Sequence, residues 1–334
     1  MSGLDFFADL VTTGTVLGLD HTSTPAEVEE VFGEGPALDR PKDMIHSFGL
    51  IEFGWWRRRS RDPWQCVYFG PQAHRLPHLV EHGDVEPALT GRYGAFPTRL
   101  NFADLRAVVE ARGFTLTEDV PINEGTAEYW EPTARMGILV QLDPEVWDEP
   151  PGTVLKILGP TRRNVYLRFQ GRDQEFADHA RHLLTRDETQ IAAWLDRRES
   201  VADQDWWSHL RRTVAHHPAD DPDWFRLRLT LDRQAAERGL DAPDLAAVTL
   251  IAALVERAET EGMDEAVTRW LAASPSLDEA RGLAGRSPDE IRLARRLRSQ
   301  IHVVRSALPL LKSADLAEEV RAWDELKPAL LGAC

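Results

Sequence analysis

The sequence predicts an α+β N-terminal half followed by an all-α C-terminal half. Three observations carry this expectation. A capped short helix followed by strand-like runs occupies residues 24–69, and the same order of helix then antiparallel meander recurs from Asn101 to Phe169. Beyond Gly171 the strand-like runs vanish and capped helices take over. At 334 residues the chain is long for one core, so two or three domains are expected. The pattern places a first α+β unit at 1–98, a second at 99–171 and an all-α helical domain at 172–334.

The first element is marked by Thr24-Pro25-Ala26-Glu27, a capping box with proline at the first helical position. Val28, Val31 and Phe32 follow at helical spacing, and Gly33 supplies the stop. Ile45 to Trp56 reads as one strand with Ile51, Phe53 and Trp55 on one face and Phe48, Leu50 and Trp56 on the other. Partly apolar faces on both sides place it centrally in a sheet. Arg57 to Pro63 forms the connection, and Trp64 to Phe69 pairs back as a hairpin partner.

In the second unit Asn101 is the expected N-cap, with Asp104 three residues on. Leu105, Val108 and Val109 form its apolar stripe, and Gly113 ends it. Strand runs follow at Ala127–Trp130, Met136–Leu142, Val154–Leu158 and Val165–Phe169. Helix then meander, twice, makes a candidate duplication. In the C-terminal half, Thr185-Arg186-Asp187-Glu188 and Ser287-Pro288-Asp289-Glu290 read as capping boxes. Asp241 with Pro243 and Asp244, Ser276 with Glu279, and Ser313 mark further starts. Leu293, Leu297, Ile301, Val304 and Leu308 form a stripe that leaves Arg292, Arg295, Arg296 and Arg298 mostly off it.

Composition narrows the function. A net charge of −16 repels nucleic acid and anionic membrane in general, which leaves only a local basic patch as a route to either. Cys66 and Cys334 are the only cysteines, which excludes a disulfide scaffold and a cysteine-rich zinc module. Met1 to Leu19 has acids at Asp5 and Asp9 and no basic region before its apolar residues, the wrong order for a secretory signal, and no window reaches the length of a membrane span. A cytoplasmic protein with no membrane partner is expected. No G-x-S-x-G elbow, Walker loop or dinucleotide fingerprint is present, so no cofactor is expected.

His78-Leu79-Val80-Glu81-His82 matches the H-x-x-E-H pattern of inverted zinc peptidases. On a helix, His78 and His82 share a face and bind zinc through neutral imidazoles, while Glu81 activates the bound water. Pro77 and Gly83 bracket the motif and leave little more than one helical turn to hold that geometry. A zinc-dependent hydrolase is therefore the alternative reading, and a polar turn after a strand is the bland one. His216-His217-Pro218 with Asp220, Asp221 and Asp223 mixes metal-ligand types, in a composition that an inter-helix turn also needs. His74-Arg75 closes the hairpin and suits a contact to a neighbouring acid.

The remaining candidate is a surface. Trp55, Trp56, Arg57, Arg58, Arg59, Arg61 and Trp64 crowd one end of a hairpin. Tryptophan and arginine dominate binding hot spots, because they desolvate large areas with few rotamers lost and offer planar, bidentate donors. Against this, Trp55 and Trp64 suit a core, and the arginines suit a solvated tip. Single-strand nucleic-acid binding wants a broader basic groove with stacking residues along it.

Thr24 to Gly33 followed by strands resembles the opening of the β-lactamase inhibitory protein type and of the small outer-membrane assembly lipoproteins, in which a short helical pair packs on an antiparallel sheet. Tyr129-Trp130 is similar to the aromatic strand that the inhibitory type presents to its partner. The first block also resembles actinobacterial immunity-type proteins. The resemblance covers roughly the first half of the chain, which departs from the first two types in having no secretion signal, no disulfides and a long helical half. It implies a non-enzymatic immunity or inhibitor protein. The residues expected to grip its protein partner are Trp55, Trp56, Arg57, Arg58, Arg59, Arg61 and Trp64 from the hairpin, with Tyr129 and Trp130 from the second sheet, and the acidic balance of the chain suits a basic partner. A regulatory adaptor is a further alternative.

Overall fold

A computed structural model describes residues 1–57, 59–61, 63–119, 125–147, 149–160, 172–198, 204–215, 217, 221–240, 245–283 and 287–330. The N-terminal half carries helices and antiparallel sheets, and the described C-terminal half is helical. The chain forms two compact units, each discontinuous in sequence. The first comprises Met1–Asn164, Ala280–Ser299 and Leu326–Cys334, and the second Val165–Glu279 and Gln300–Glu325. The boundary drawn at 98 falls inside the first unit, and that at 171 inside the second.

The first unit opens with α1 (Gly3–Thr13), which the sequence reading did not anticipate. Ser2 and Asp5 form a reciprocal capping box, and Gly14 ends the helix in the left-handed conformation. Phe6, Phe7, Leu10 and Val11 are buried, and the rings of Phe6, Phe7, Tyr93 and Phe96 meet edge to face or tilted. α2 (Pro25–Phe32) has the expected box, with Thr24 Oγ1 accepting from Glu27 N and Glu27 Oε2 accepting from Thr24 N.

Residues 45–56 are two strands, not one. β2 (Asp43–Phe48) and β3 (Ile51–Trp56) pair antiparallel around a turn at Gly49-Leu50. Gly49 takes φ +82°, a conformation that glycine reaches without a Cβ clash, and Glu86 Oε1 accepts from the N–H groups of Leu50 and Ile51. The short β1 (Ala37–Asp39) and β4 (Gln65–Pro71) complete a sheet in the order β1-β2-β3-β4, so Ile51–Trp56 is central as expected. A 3₁₀ turn (Ala73–Arg75), α3 (Leu76–His82) and α4 (Pro87–Tyr93) follow.

The second meander has the same plan. Asn101 caps α5 (Phe102–Ala111) by accepting from Ala103 N and Asp104 N. Then β5 (Thr117–Asp119), β6 (Thr126–Glu131), β7 (Met136–Gln141) and β8 (Val154–Leu158) pair in sequence order, with the short α6 (Pro144–Trp147) between β7 and β8. The strand expected at Val165–Phe169 lies outside the described residues. β4 and β8 meet edge to edge, where Phe69 N donates to Gly159 O at 2.7 Å and Gly159 N to Phe69 O at 2.9 Å. Both strands run into a Gly-Pro pair at this junction, Gly70-Pro71 and Gly159-Pro160. A Cβ on Gly70, whose φ is +145°, would overlap the Ile157 carbonyl oxygen. Glycine is what lets the two backbones approach, and a single bridge joins the edges of the two four-stranded sheets.

The second unit contains α7 (Asp173–Leu184), α8 (Glu188–Asp196), α9 (Gln204–Ala215), α10 (Pro222–Glu237), α11 (Leu245–Arg257) and α12 (Met263–Ala273), and α13 (Leu277–Arg281) crosses its boundary at Glu279. Phe176, Leu183, Ile191, Leu195, Trp206, Trp207, Leu210, Leu227 and Leu231 build its core. The cap of α8 is Asp187 with Gln190 rather than Thr185 with Glu188: Thr185 has φ −89° and ψ 6° at the end of α7, and only Asp187 has the extended backbone that an N-cap needs. The Ser276–Glu279 box and the Ser313 cap are present. Asp241, Pro243 and Asp244 lie outside the described residues.

α14 (Pro288–Arg305) belongs to the first unit up to Ser299, and α15 is Ala314–Leu326. Its buried apolar stripe runs through Ile291, Ala294, Leu297, Ile301 and Val304. Arg295 and Arg298, placed off the stripe by the sequence pattern, are buried as well, and Arg298 is 2% exposed. Carboxylates of the N-terminal half explain this. Arg298 Nε donates to Asp20 Oδ2 at 2.7 Å, Nη1 donates to the carbonyls of Lys327 and Leu330, and Nη2 donates to that of Gly18. Asp20 Oδ1 accepts from Thr22 N and Thr22 Oγ1. Arg295 reaches the Thr133 carbonyl, close to the buried Glu131. Arg292 is exposed and paired with Asp289.

Candidate functional site

Strand pairing sorts the aromatic residues onto two faces. Phe53, Trp55 and Phe69 share one face with Met44, His46 and Phe48, and all are buried. α2 packs here, with Phe32 stacked on Phe48 at 5.2 Å and Glu29 3.5 Å from His46. Trp55 is 1% exposed, stacks on Phe53 and donates from Nε1 to Ser23 O at 3.1 Å. In the second meander Tyr129, Ile138 and Ile157 lie side by side, and Tyr129 stacks on Phe102 of α5 at 4.1 Å. Because Phe69 pairs with Gly159 where the two sheets meet, alternation along each strand puts these residues on the same side of both sheets. That side is the core.

The opposite face is open in part. Leu38 and Trp56 are 50% and 42% exposed, and Ile45 and Tyr68 are half-buried. Register places Leu38, Ile45, Gly54 and Tyr68 in one row, with Asp43, Trp56 and Gln65 in the next. The Tyr68 ring lies over Gly54, where a Cβ would overlap it. A bulge at Gly54/Trp55 leaves Val67 as the extra residue, also exposed. On the second meander Trp130 pairs with Gly137, and Leu139 with Lys156, on this same face and half-buried.

Polar residues brace the open face. Arg75 Nη1 donates to Ser47 Oγ at 2.8 Å and to Gly49 O at 3.0 Å, and its Nη2 donates to Glu52 Oε2 at 2.9 Å. The Tyr68 hydroxyl donates to Glu52 Oε1 at 2.9 Å. Burial pushes the tyrosine hydroxyl pKa well above its ordinary value, and the hydrogen bond to Glu52 adds to this. His74 Nδ1 is 3.1 Å from Leu155 O, and burial lowers its pKa.

At the hairpin end the Arg57 guanidinium carbon lies 3.8 Å from the Trp64 ring centroid, and Arg57 Nε donates to Pro41 O at 2.9 Å. Arg59 and Arg61 are exposed, and Arg58 lies outside the described residues. The structure thus brings Trp56, Arg57, Arg59, Arg61 and Trp64 to the hairpin end and Trp130 to the same sheet face as Trp56. Trp55 and Tyr129 face the helices. Leu38, Ile45, Tyr68 and Leu139 complete the face; sequence reasoning missed them, and strand alternation is the signal that finds them.

His78 and His82 stack with ring centroids 4.2 Å apart on the exposed side of α3, and His82 Nδ1 contacts His78 O at 2.8 Å. α3 spans seven residues between Pro77 in its first turn and a left-handed Gly83. Asp221 is spent as the N-cap of α10, and His217 stacks on Trp224 at 3.5 Å. His216, Pro218 and Asp220 lie outside the described residues. Among the described residues no group of three or more His, Cys, Asp or Glu is placed to hold a metal, and no helix is long and apolar enough to cross a membrane. No protein-family model, curated protein or solved structure matches the chain.

Proposed function

We propose that this chain is a cytoplasmic, non-enzymatic binding protein of immunity or inhibitor type. It engages a protein partner through the open face of its paired four-stranded sheets and the adjoining hairpin end. One observation carries the reading. The helix-covered face of the strands is buried, whereas the opposite face presents Trp56 and Leu38 beside the Arg57–Trp64 stack. A rigid sheet that holds aromatic and arginine side chains at fixed register is the arrangement that hot spots favour. The partner is basic overall, since a surface of net −16 steers and retains such a protein, and the arginine end supplies a second anchor to acidic or aromatic groups on it.

The product of the adjacent gene is the partner to test, by calorimetric titration. The wild-type chain binds it, Trp56→Ala weakens binding at least tenfold, and Arg59→Glu with Arg61→Glu weakens it further at low salt. Unchanged affinity in both variants contradicts the reading.

A further inference from the structure

The helical unit contains a cleft of about 780 Å³ bounded by the α7–α8 connection, the first turns of α10 and the end of α11. Four arginines line it, Arg186, Arg226, Arg233 and Arg257, together with the apolar Phe225 and Leu229. Two of the four are committed to the fold. Arg226 donates to Leu184 O at 2.6 Å and to Arg186 O at 2.9 Å, closing the end of α7, and Arg233 pairs with Glu188 at 3.0 Å. The other two are not used up. Arg257 pairs with Glu259 at 3.3 Å, but its Nε is buried without a hydrogen-bond partner. The Arg186 Nε is also buried and unpartnered.

Two partly buried guanidinium groups that line one cleft with donors to spare concentrate positive charge there, which suits an anion with several acceptor oxygens. The three acids at the cleft are engaged elsewhere: Asp187 caps α8, Glu188 is held by Arg233, and Asp223 lies 4.0 Å from Arg226. The N-termini of α8 and α10 are already capped by Asp187 and Asp221, so the guanidinium groups carry the argument rather than the helix ends. Two forked donors match a phosphate, with its double charge and three oxygens, better than a carboxylate. The Arg257 guanidinium carbon lies over the Phe225 ring, 5.3 Å from its centroid, which puts apolar surface and charge together in the cleft lining.

We propose that this cleft binds a phosphate monoester with a flat apolar body, its phosphate taken by Arg186 and Arg257 and its body resting on Phe225 and Leu229. Calorimetric titration of the full chain with phenyl phosphate, benzoate and phenol tests this. Phenyl phosphate binds at least tenfold more tightly than either comparison compound. Arg186→Gln and Arg257→Gln each weaken it at least tenfold, and Arg186→Lys, which keeps the charge and loses the fork, restores binding only in part. Equal affinity for all three compounds overturns the proposal. Wild-type affinity for phenyl phosphate in both glutamine variants, each with an unfolding transition like that of the wild type, overturns it too. The cleft residues belong to the second unit and Trp56 to the first, so partner binding by Trp56 variants is read separately.

Discussion

Replacing Arg298 by methionine lowers the free energy of unfolding by about 3–5 kcal/mol, the range for breaking one side of a buried ion pair. The substitution keeps the volume and removes every donor that satisfies Asp20 Oδ2 and the carbonyls of Gly18, Lys327 and Leu330. Asp20, itself buried, is left charged without its counter-ion. Urea denaturation of the variant and of Asp20→Asn checks this. The double variant destabilises by less than the sum of the two, because both act on one network. Additive losses contradict the assignment.

The same pair sets a pH signature. Burial alone raises the Asp20 pKa, but Arg298, with His21 and the Thr22 hydrogen bond, more than reverses this and holds the carboxyl well below the usual carboxylate range. A carboxyl with a depressed native pKa adds stability that is fully present above its unfolded value of about 3.9 and is lost as pH falls through the native one. Asp20→Asn therefore destabilises at pH 7 and flattens the loss of stability below about pH 4.

Gly70→Ala has an effect of similar size by a different route. At φ +145° a Cβ on residue 70 would strike the Ile157 carbonyl, so β4 and β8 must separate and the two hydrogen bonds between Phe69 and Gly159 are lost. Backbone strain of about 1–3 kcal/mol and about 1 kcal/mol for each hydrogen bond give a loss of about 3–5 kcal/mol. Gly113→Ala is the control. Gly113 also has positive φ, at +85°, yet nothing lies within 4 Å of the added Cβ, so its cost is about 1–2 kcal/mol of backbone strain. Equal urea midpoints for the two variants would show that β4 and β8 do not need close approach.

Capping chemistry was the most legible part of the sequence. Thr24, Asn101, Ser276 and Ser287 act where the S/T/N-x-x-D/E spacing puts them, because a cap is a local hydrogen bond between residues two or three apart. The hairpin at Gly49 was hidden because apolar residues run through both its strands and the turn, leaving no polar break to read. α1 was hidden because its apolar residues were weighed only as a leader. Arg295 and Arg298 look solvated when the helix is read alone; their burial depends on Asp20 and Glu131, which lie more than 150 residues away in sequence. Of the aromatic residues named for the surface, alternation separated Trp55 from Trp56 correctly. Which face the helices would cover was settled only by tertiary packing, and it turned Trp55 and Tyr129 inward.

Hydroxyl-radical footprinting of the chain, free and in complex with the adjacent gene's product, tests the binding face most directly. Oxidation of Trp56 and Tyr68 falls several-fold in the complex, while Trp55, already sealed against α2, does not change. Protection confined to the helices between residues 172 and 330, with Trp56 and Tyr68 oxidised as in the free chain, would contradict binding by the open face of the sheet.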